Sequence, residues 1–162
     1  MIEAMATASV DRMAGGTAKK TNQALPAGSW APQGWGRPNL DSLFQTRVPV
    51  KYYDEDHTAR GLRRFVAGEG SWTTSPQVAN ASKDVVVALA FTDRFAATKA
   101  GALAVSTLTA YVLDNGSEYQ SNNFDGSGDT HRSPGSWLPD FDDNAQIIRI
   151  RSGKIANGDF TI

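Results

Sequence analysis

The chain has 162 residues and no cysteine, which fits one domain burying about two-thirds of its unfolded surface and excludes disulfides, thiolate metal sites and cysteine nucleophiles. Sixteen Lys and Arg face 17 Asp and Glu, so no general attraction to nucleic acid or anionic lipid is expected, and a neutral ligand suits this balance best. Abundant Gly and Pro beside a modest apolar fraction read as a loop-rich globular protein, more β than α.

The opening MIEAMATASVDRM has no apolar core of signal-peptide length, and no run approaches membrane-spanning length. A cytoplasmic protein, or one exported without a signal peptide, is expected. Ala4 to Met13 permits a short helix. Beyond it, GGTAKK and LPAGSWAPQGWGRPN are rich in breakers and predict an N-terminal arm over residues 1–43, partly extended. Such an arm lies over the domain surface or reaches a neighbouring subunit.

From residue 44 to 162 strand signals follow one another. TRVPVKYY sets Val48, Val50 and Tyr52 opposite Arg47, Pro49 and Lys51, and Pro49 makes this an edge strand. GLRRFVA is its candidate hairpin partner. Asp84 to Phe91, DVVVALAF, is apolar on both faces and reads as a central strand covered on both sides. GALAVSTLTAYVLDNG permits a helix, but its β-branched residues and the Asn115-Gly116 turn favour a strand entering a hairpin. AQIIRIR alternates, with Ile148 and Ile150 opposite Arg149 and Arg151. A last Asn-Gly turn and a closing strand follow.

Short strands joined by Gly, Asn and Asp turns, with no βαβ rhythm, predict an all-β antiparallel β-sandwich. The expected core is Val48, Val50, Phe65, Val85, Val87, Leu89, Leu103, Val105, Ile148 and Ile150.

Catalytic chemistry is poorly represented. There is no phosphate loop, dinucleotide fingerprint or nucleophile elbow. His131 has Asp129 and Ser133 nearby, yet triad members converge from separate elements, so an exposed loop histidine is the simpler reading. Asp125, Ser127 and Asp129 alternate as in a calcium loop, but Thr130 and Ser136 stand where an EF-hand needs Gly and Glu. No metal and no cofactor is expected. The sequons at Asn80 and Asn115 read as chance occurrences.

Tryptophan is more informative. Trp30, Trp35, Trp72 and Trp137 lie in predicted loops beside Gly, Pro, Ser and Asp, three of them in Gly-Ser-Trp triplets. A flat apolar ring beside short polar groups is what a sugar requires; the competing reading has these indoles plugging the ends of a sandwich or pinning the arm. The triplets are unequally spaced and their flanks do not align, so they are not an internal repeat.

The order of segments over Thr46 to Ile162 resembles the fungal fruit-body lectins, whose sandwich is related to that of the actinoporin pore-formers. TRVPVKYY looks like the family's opening strand, and RRFVAGEGSWTT is similar to its aromatic-x-Ala-Asn-Gly-Gly-Thr-Trp-Thr segment. DVVVALAFTDRF sits where the family has an apolar strand running into Gly-Val-His-Asn-Tyr-Lys. AYVLDNGSEYQSNNFDGSGD resembles its Val-rich strand and acidic turn, and AQIIRIR with IANGDFTI its final hairpin. The resemblance implies glycans containing Gal/GalNAc or GlcNAc as ligands. It places Ala67 and Gly68 in the Ala-Asn-Gly-Gly stretch, Thr92 and Asp93 at the His-Asn pair, and Arg132 at a later binding arginine.

Two readings of function follow. The first is a non-catalytic lectin-like protein with ligand-binding residues Ala67, Gly68, Trp72, Thr92, Asp93, Arg132 and Trp137. It is homo-oligomeric through the arm, and any membrane contact runs through glycans. The alternative is a structural subunit of a viral capsid or appendage, found in a virion, whose arm mediates assembly. Pore formation is disfavoured because no long amphipathic N-terminal helix is seen. An enzyme is not expected.

Overall fold

The computed structural model describes residues 2–26, 34–44, 49–53, 71–92, 108–133, 143–155 and 161. Helix α1 (Ile2–Ala8) leads into four two-residue strands, β1 (Val10–Asp11), β2 (Thr17–Ala18), β3 (Gln23–Ala24) and β4 (Arg37–Pro38), and a single helical turn, α2 (Asp41–Phe44). The longer strands follow: β5 (Val85–Ala90), β6 (Tyr111–Asp114), β7 (Ser117–Phe124), β8 (Thr130–Ser133) and β9 (Ala145–Ile150). Every pairing is antiparallel: β1 with β4, β2 with β3, β5 with β9, and β6–β7–β8 in a row. The protein is β-rich, with several small sheets.

The N-terminal segment pairs within itself. Glu3 sits favourably in the first turn of α1, and Ser9 closes the helix by donating its hydroxyl to Ala6 O at 2.8 Å. Gly36, at φ 114°, lets β4 approach β1 so closely that a Cβ there would lie 2.4 Å from Asp11 O. Only glycine fits. Asn39 adds a side-chain bond to Asp11 Oδ2 at 2.9 Å. Helix α1 then lies against β5 and β9, and Trp35 meets Phe124 edge-on at 6.3 Å.

The β6–β7 hairpin turns on Asn115 (φ 45°) and Gly116 (φ 75°), the paired positive angles of a type I′ turn. This agrees with the reading of that ambiguous run as a strand entering a hairpin, over Tyr111–Asp114; its residues 101–107 lie outside the described ones. Val112 and Tyr119 face each other across the hairpin and join Ala110, Ile148, Ile150 and Ile155 in the core. Val78, Val85, Val87 and Leu89 pack against this cluster.

Several expectations change. Residues 49–53 form no strand, because Pro49 removes a ladder donor and Lys51, Tyr52 and Tyr53 all face solvent. GLRRFVA, Val48, Phe65, Leu103 and Val105 lie outside the described residues. β5 is half-buried along its whole length rather than fully covered. The covered strand is β9, where Ala145, Gln146, Ile147 and Ile148 are all buried. Ile148 and Ile150 face the core cluster as expected, while Ile147, on the opposite face of the strand, is fully buried as well.

Strand β9 has two hydrogen-bonding edges. Phe91 N bonds Asn144 O at 3.1 Å, so alternate residues from 144 onward turn their backbone toward β5. Ala145, Ile147 and Arg149 therefore turn theirs away, and side chains meet them. Asn122 Oδ1 accepts from Ile147 N at 2.9 Å while its Nδ2 donates to Ala145 O at 3.1 Å. Thr130 Oγ1 accepts from Arg149 N at 2.7 Å. An irregularity in β7 makes this possible: between the pairs Tyr119↔Arg132 and Phe124↔Thr130, β7 advances five residues while β8 advances two. Within that bulge Asn122 takes φ 59°, an angle asparagine tolerates better than most residues.

Replacing Asn122 by Ala should therefore cost about 3 kcal/mol, since it orphans a backbone N–H and a C=O at about 1–3 kcal/mol each. Asn122→Asp keeps the acceptor but turns an oxygen on Ala145 O, and should lose at least about 2 kcal/mol by the same reasoning. Urea unfolding measures both, and a loss under about 0.5 kcal/mol, the usual range for surface substitutions, would remove the side chain from this role.

Candidate functional site

Residues 71–76 run with alternating exposure: Ser71, Thr73 and Ser75 face outward, Trp72 and Thr74 are half-buried, and Pro76 is buried. The alternation puts Trp72 and Thr74 on one side. There the Trp72 indole meets the Tyr53 ring edge-to-face, with centroids 5.3 Å apart and planes at 64°. That is a favoured aromatic geometry. Thr74 Oγ1 donates to Tyr53 OH at 3.3 Å, and Tyr52 and Tyr53 each keep 42% of their surface in water.

Ser75 turns the other way and anchors the segment. Its hydroxyl lies 3.2 Å from Thr161 Oγ1, and Thr161 exchanges two backbone bonds with Leu113, at 2.8 and 3.0 Å. The shelf of rings is thus tied to the β6 edge. Chemically it offers flat apolar surface beside neutral hydroxyls, which suits a polyol with one C–H face.

The other expected residues are dispersed. Thr92 is exposed just past the end of β5. Arg132 lies on β8 opposite Tyr119, where its Nε donates to Ser117 Oγ at 2.6 Å. Burial raises the pKa of the Tyr119 phenol; Arg132 works against that rise and Asp114 adds to it. Among the described residues, no hydrogen bond, ion pair or ring contact joins Trp72, Thr92 and Arg132. Ala67, Gly68, Asp93 and Trp137 lie outside the described residues. Tyr53 and Thr74 were missed because the pair Tyr52-Tyr53 reads as the end of an alternating strand.

The loop that resembles a calcium site is arranged around an arginine. Asp125 Oδ1 accepts from Ser127 N (2.8 Å), Ser127 Oγ (2.6 Å) and Asp129 N (3.2 Å), folding the turn on itself. Arg12 donates to the carbonyls of Ser127 and Gly128 and, at 2.8 Å, to Asp129 Oδ1. Arg151 meets Asp129 Oδ2 at 2.5 Å. No group of three metal-ligating side chains occurs among the described residues. Nearby, burial first and the Arg12 charge second lower the pKa of Arg149, whose Nη2 donates to Val10 O at 2.9 Å. His131 is exposed, with Nδ1 3.1 Å from Arg132 O.

Comparisons with protein-family models, curated proteins and solved structures return no match to this chain. The chemistry of the shelf therefore carries the functional reading.

The Ser127 hydroxyl holds the Asp125 carboxyl below its ordinary pKa of 3.8; burial, next in size, opposes it, and the backbone N–H groups of Ser127 and Asp129 add to the lowering. A carboxyl lowered in the folded state stabilises the fold at pH above its unfolded value, and that contribution disappears as pH falls through the folded one. Stability should therefore decline below pH 3.8, with Asp125→Asn flattening the decline. Thermal unfolding across the acid range measures this; identical profiles for the two proteins would refute it.

Proposed function

We propose that this chain is a non-catalytic carbohydrate-binding protein, with its ligand surface at Tyr53, Trp72 and Thr74. The observation that carries the reading is the edge-to-face Tyr53–Trp72 ring pair, Tyr53 exposed and Trp72 half-buried, with hydroxyls beside it. Neutral glycans bearing Gal/GalNAc or GlcNAc are the ligand class, in keeping with the near-zero net charge. The finer fold reading goes with it: β5–β9 and β6–β7–β8 are the two layers of an antiparallel sandwich sharing the Val112, Tyr119, Ile148 and Ile150 core, after an N-terminal unit over residues 1–43. Single saccharides bind weakly, so a homo-oligomer joined through that unit raises avidity by presenting several shelves together.

A second reading, a structural subunit of a capsid or appendage, is favoured by one observation. Ile2, on the N-terminal unit, and Phe44, which directly follows it at the end of α2, are 82% and 65% exposed. Apolar side chains so open to water suit an assembly contact.

A glycan array together with tryptophan fluorescence titration tests the first reading. The wild type should bind galactose- or N-acetylhexosamine-containing glycans, with Trp72→Ala weakening binding at least about tenfold, as loss of a central aromatic does. Tyr53→Phe, which keeps the ring, should lose less. If the wild type binds no glycan on the array, the carbohydrate reading fails.

A further inference from the structure

The asparagines of the described residues differ in how their side chains are held. Asn39 Nδ2 donates to Asp11, Asn144 Nδ2 donates to Phe91 O, and Asn122 is bonded through both ends of its amide. Asn80 Oδ1 accepts from Ser82 N and Ser82 Oγ at 2.9 and 2.6 Å. Asn115 is different. It is exposed at the tip of the β6–β7 hairpin, and among the described residues no hydrogen bond reaches its side chain or the N–H of Gly116. Gly116 is exposed as well, with open space where a Cβ would stand. Asn22 and Asn123 precede Gln23 and Phe124, so neither has an uncrowded amide next to it, and Asn157-Gly158 lies outside the described residues.

The turn thus sets an electrophile beside a nucleophile. The electrophile is the side-chain carbonyl carbon of Asn115, and the nucleophile is Gly116 N, which the missing Cβ leaves accessible. Attack forms a bond from Gly116 N to Asn115 Cγ and closes a succinimide ring. The Cγ–Nδ2 bond breaks, and the amino group departs as ammonia with the proton that Gly116 N gives up. Water then opens the ring. Opening at Cγ gives aspartate, and opening at the main-chain carbonyl gives isoaspartate. Asp125, followed by Gly126, is spared the corresponding reaction. Ser127 and Asp129 hold its Oδ1 and keep its carboxyl ionised, and a carboxylate is a poor electrophile.

We infer that Asn115 is a self-modification site, converted without an enzyme to isoaspartate and aspartate, and that isoaspartate loosens the β6–β7 hairpin. The turn has only Asn115 and Gly116 between the paired Asp114 and Ser117, and isoaspartate routes the main chain through an additional carbon there. Loop length fixes hairpin register, so the pairing beside the turn is strained. The new carboxylate also stands next to Asp114, which is 2% exposed. The same hairpin carries the Val112–Tyr119 pair of the core and the Leu113 bonds to Thr161. The inference is independent of the glycan reading.

The test incubates folded, full-length wild type in mildly alkaline buffer for weeks. Mass-spectrometric peptide mapping assigns each conversion to its residue, and an isoaspartate-selective methyltransferase labels the product. Asn115 should lose ammonia and give mainly isoaspartate while Asn39, Asn80, Asn122 and Asn144 keep their amides. The rate should rise with pH, because the attacking nitrogen must lose its proton. Asn115→Gly, which still accepts a positive φ, should abolish the label at this turn. Protein converted at Asn115 alone, separated by ion exchange, should unfold at least about 2 °C below the unconverted form, the scale of losing one strong contact in a chain of this size. Asn115→Asp carries the charge without the added carbon and should fall less. If Asn115 keeps its amide, or converts no faster than Asn80, the site is overturned. If the converted protein unfolds together with the unconverted one, or no lower than Asn115→Asp, the loosening by isoaspartate is overturned.

Discussion

The side-chain amide of Asn122 is the contact on which the arrangement of strands depends. Strand β9 is buried on both faces and uses one edge for β5, which leaves backbone groups along its other edge in need of partners. A further backbone strand would normally supply them. Here one asparagine supplies a donor and an acceptor, and Thr130 supplies an acceptor further along. The β5–β9 and β6–β7–β8 sheets are thereby joined by side chains rather than by a continuous ladder. A second consequence is protective, since an edge occupied by side chains cannot template pairing with another chain.

The same polar run ties the bulge to the core. Ser121 accepts from Ala110 N at 3.2 Å and donates to Gln146 Oε1 at 2.5 Å, and Gln146 Nε2 donates to Asp143 O at 3.0 Å. Buried polar groups are tolerable when satisfied, and satisfied groups of this kind hold strands in one register. The ring shelf has its own support in the buried Pro76 and in the Ser75–Thr161–Leu113 tie, which anchor the segment that carries Trp72.

Parts of this were legible in the sequence. Asn115-Gly116 announces a hairpin by local chemistry, since both residues accept positive φ, and the alternation of Ile148 and Ile150 points inward because their face meets the core. Arg149 misleads: a charge on an alternating strand reads as solvent-facing, whereas here it is partly buried and Val10 O receives the guanidinium. QSNN, residues 120–123, reads as polar and therefore exposed, yet Gln120 and Ser121 are buried. Two of its partners, Gln146 and Ile147, lie 25 residues away, and no periodicity reveals them. The Tyr53–Trp72 contact was hidden for the same reason. Trp72 was singled out from its own neighbours, but the ring it meets comes from another segment.

The seat of Arg12 also has a consequence in time. Arg12 bonds residues 115 to 117 positions further along the chain, and Val10 bonds one 139 positions on. During synthesis α1 therefore leaves the ribosome well before the turn and strand that receive it. Contacts of such separation form slowly, because loop-closure entropy is spent before any bond rewards it. A segment made early thus waits for partners made late, and Val10, buried in the finished fold, stays uncovered until they arrive.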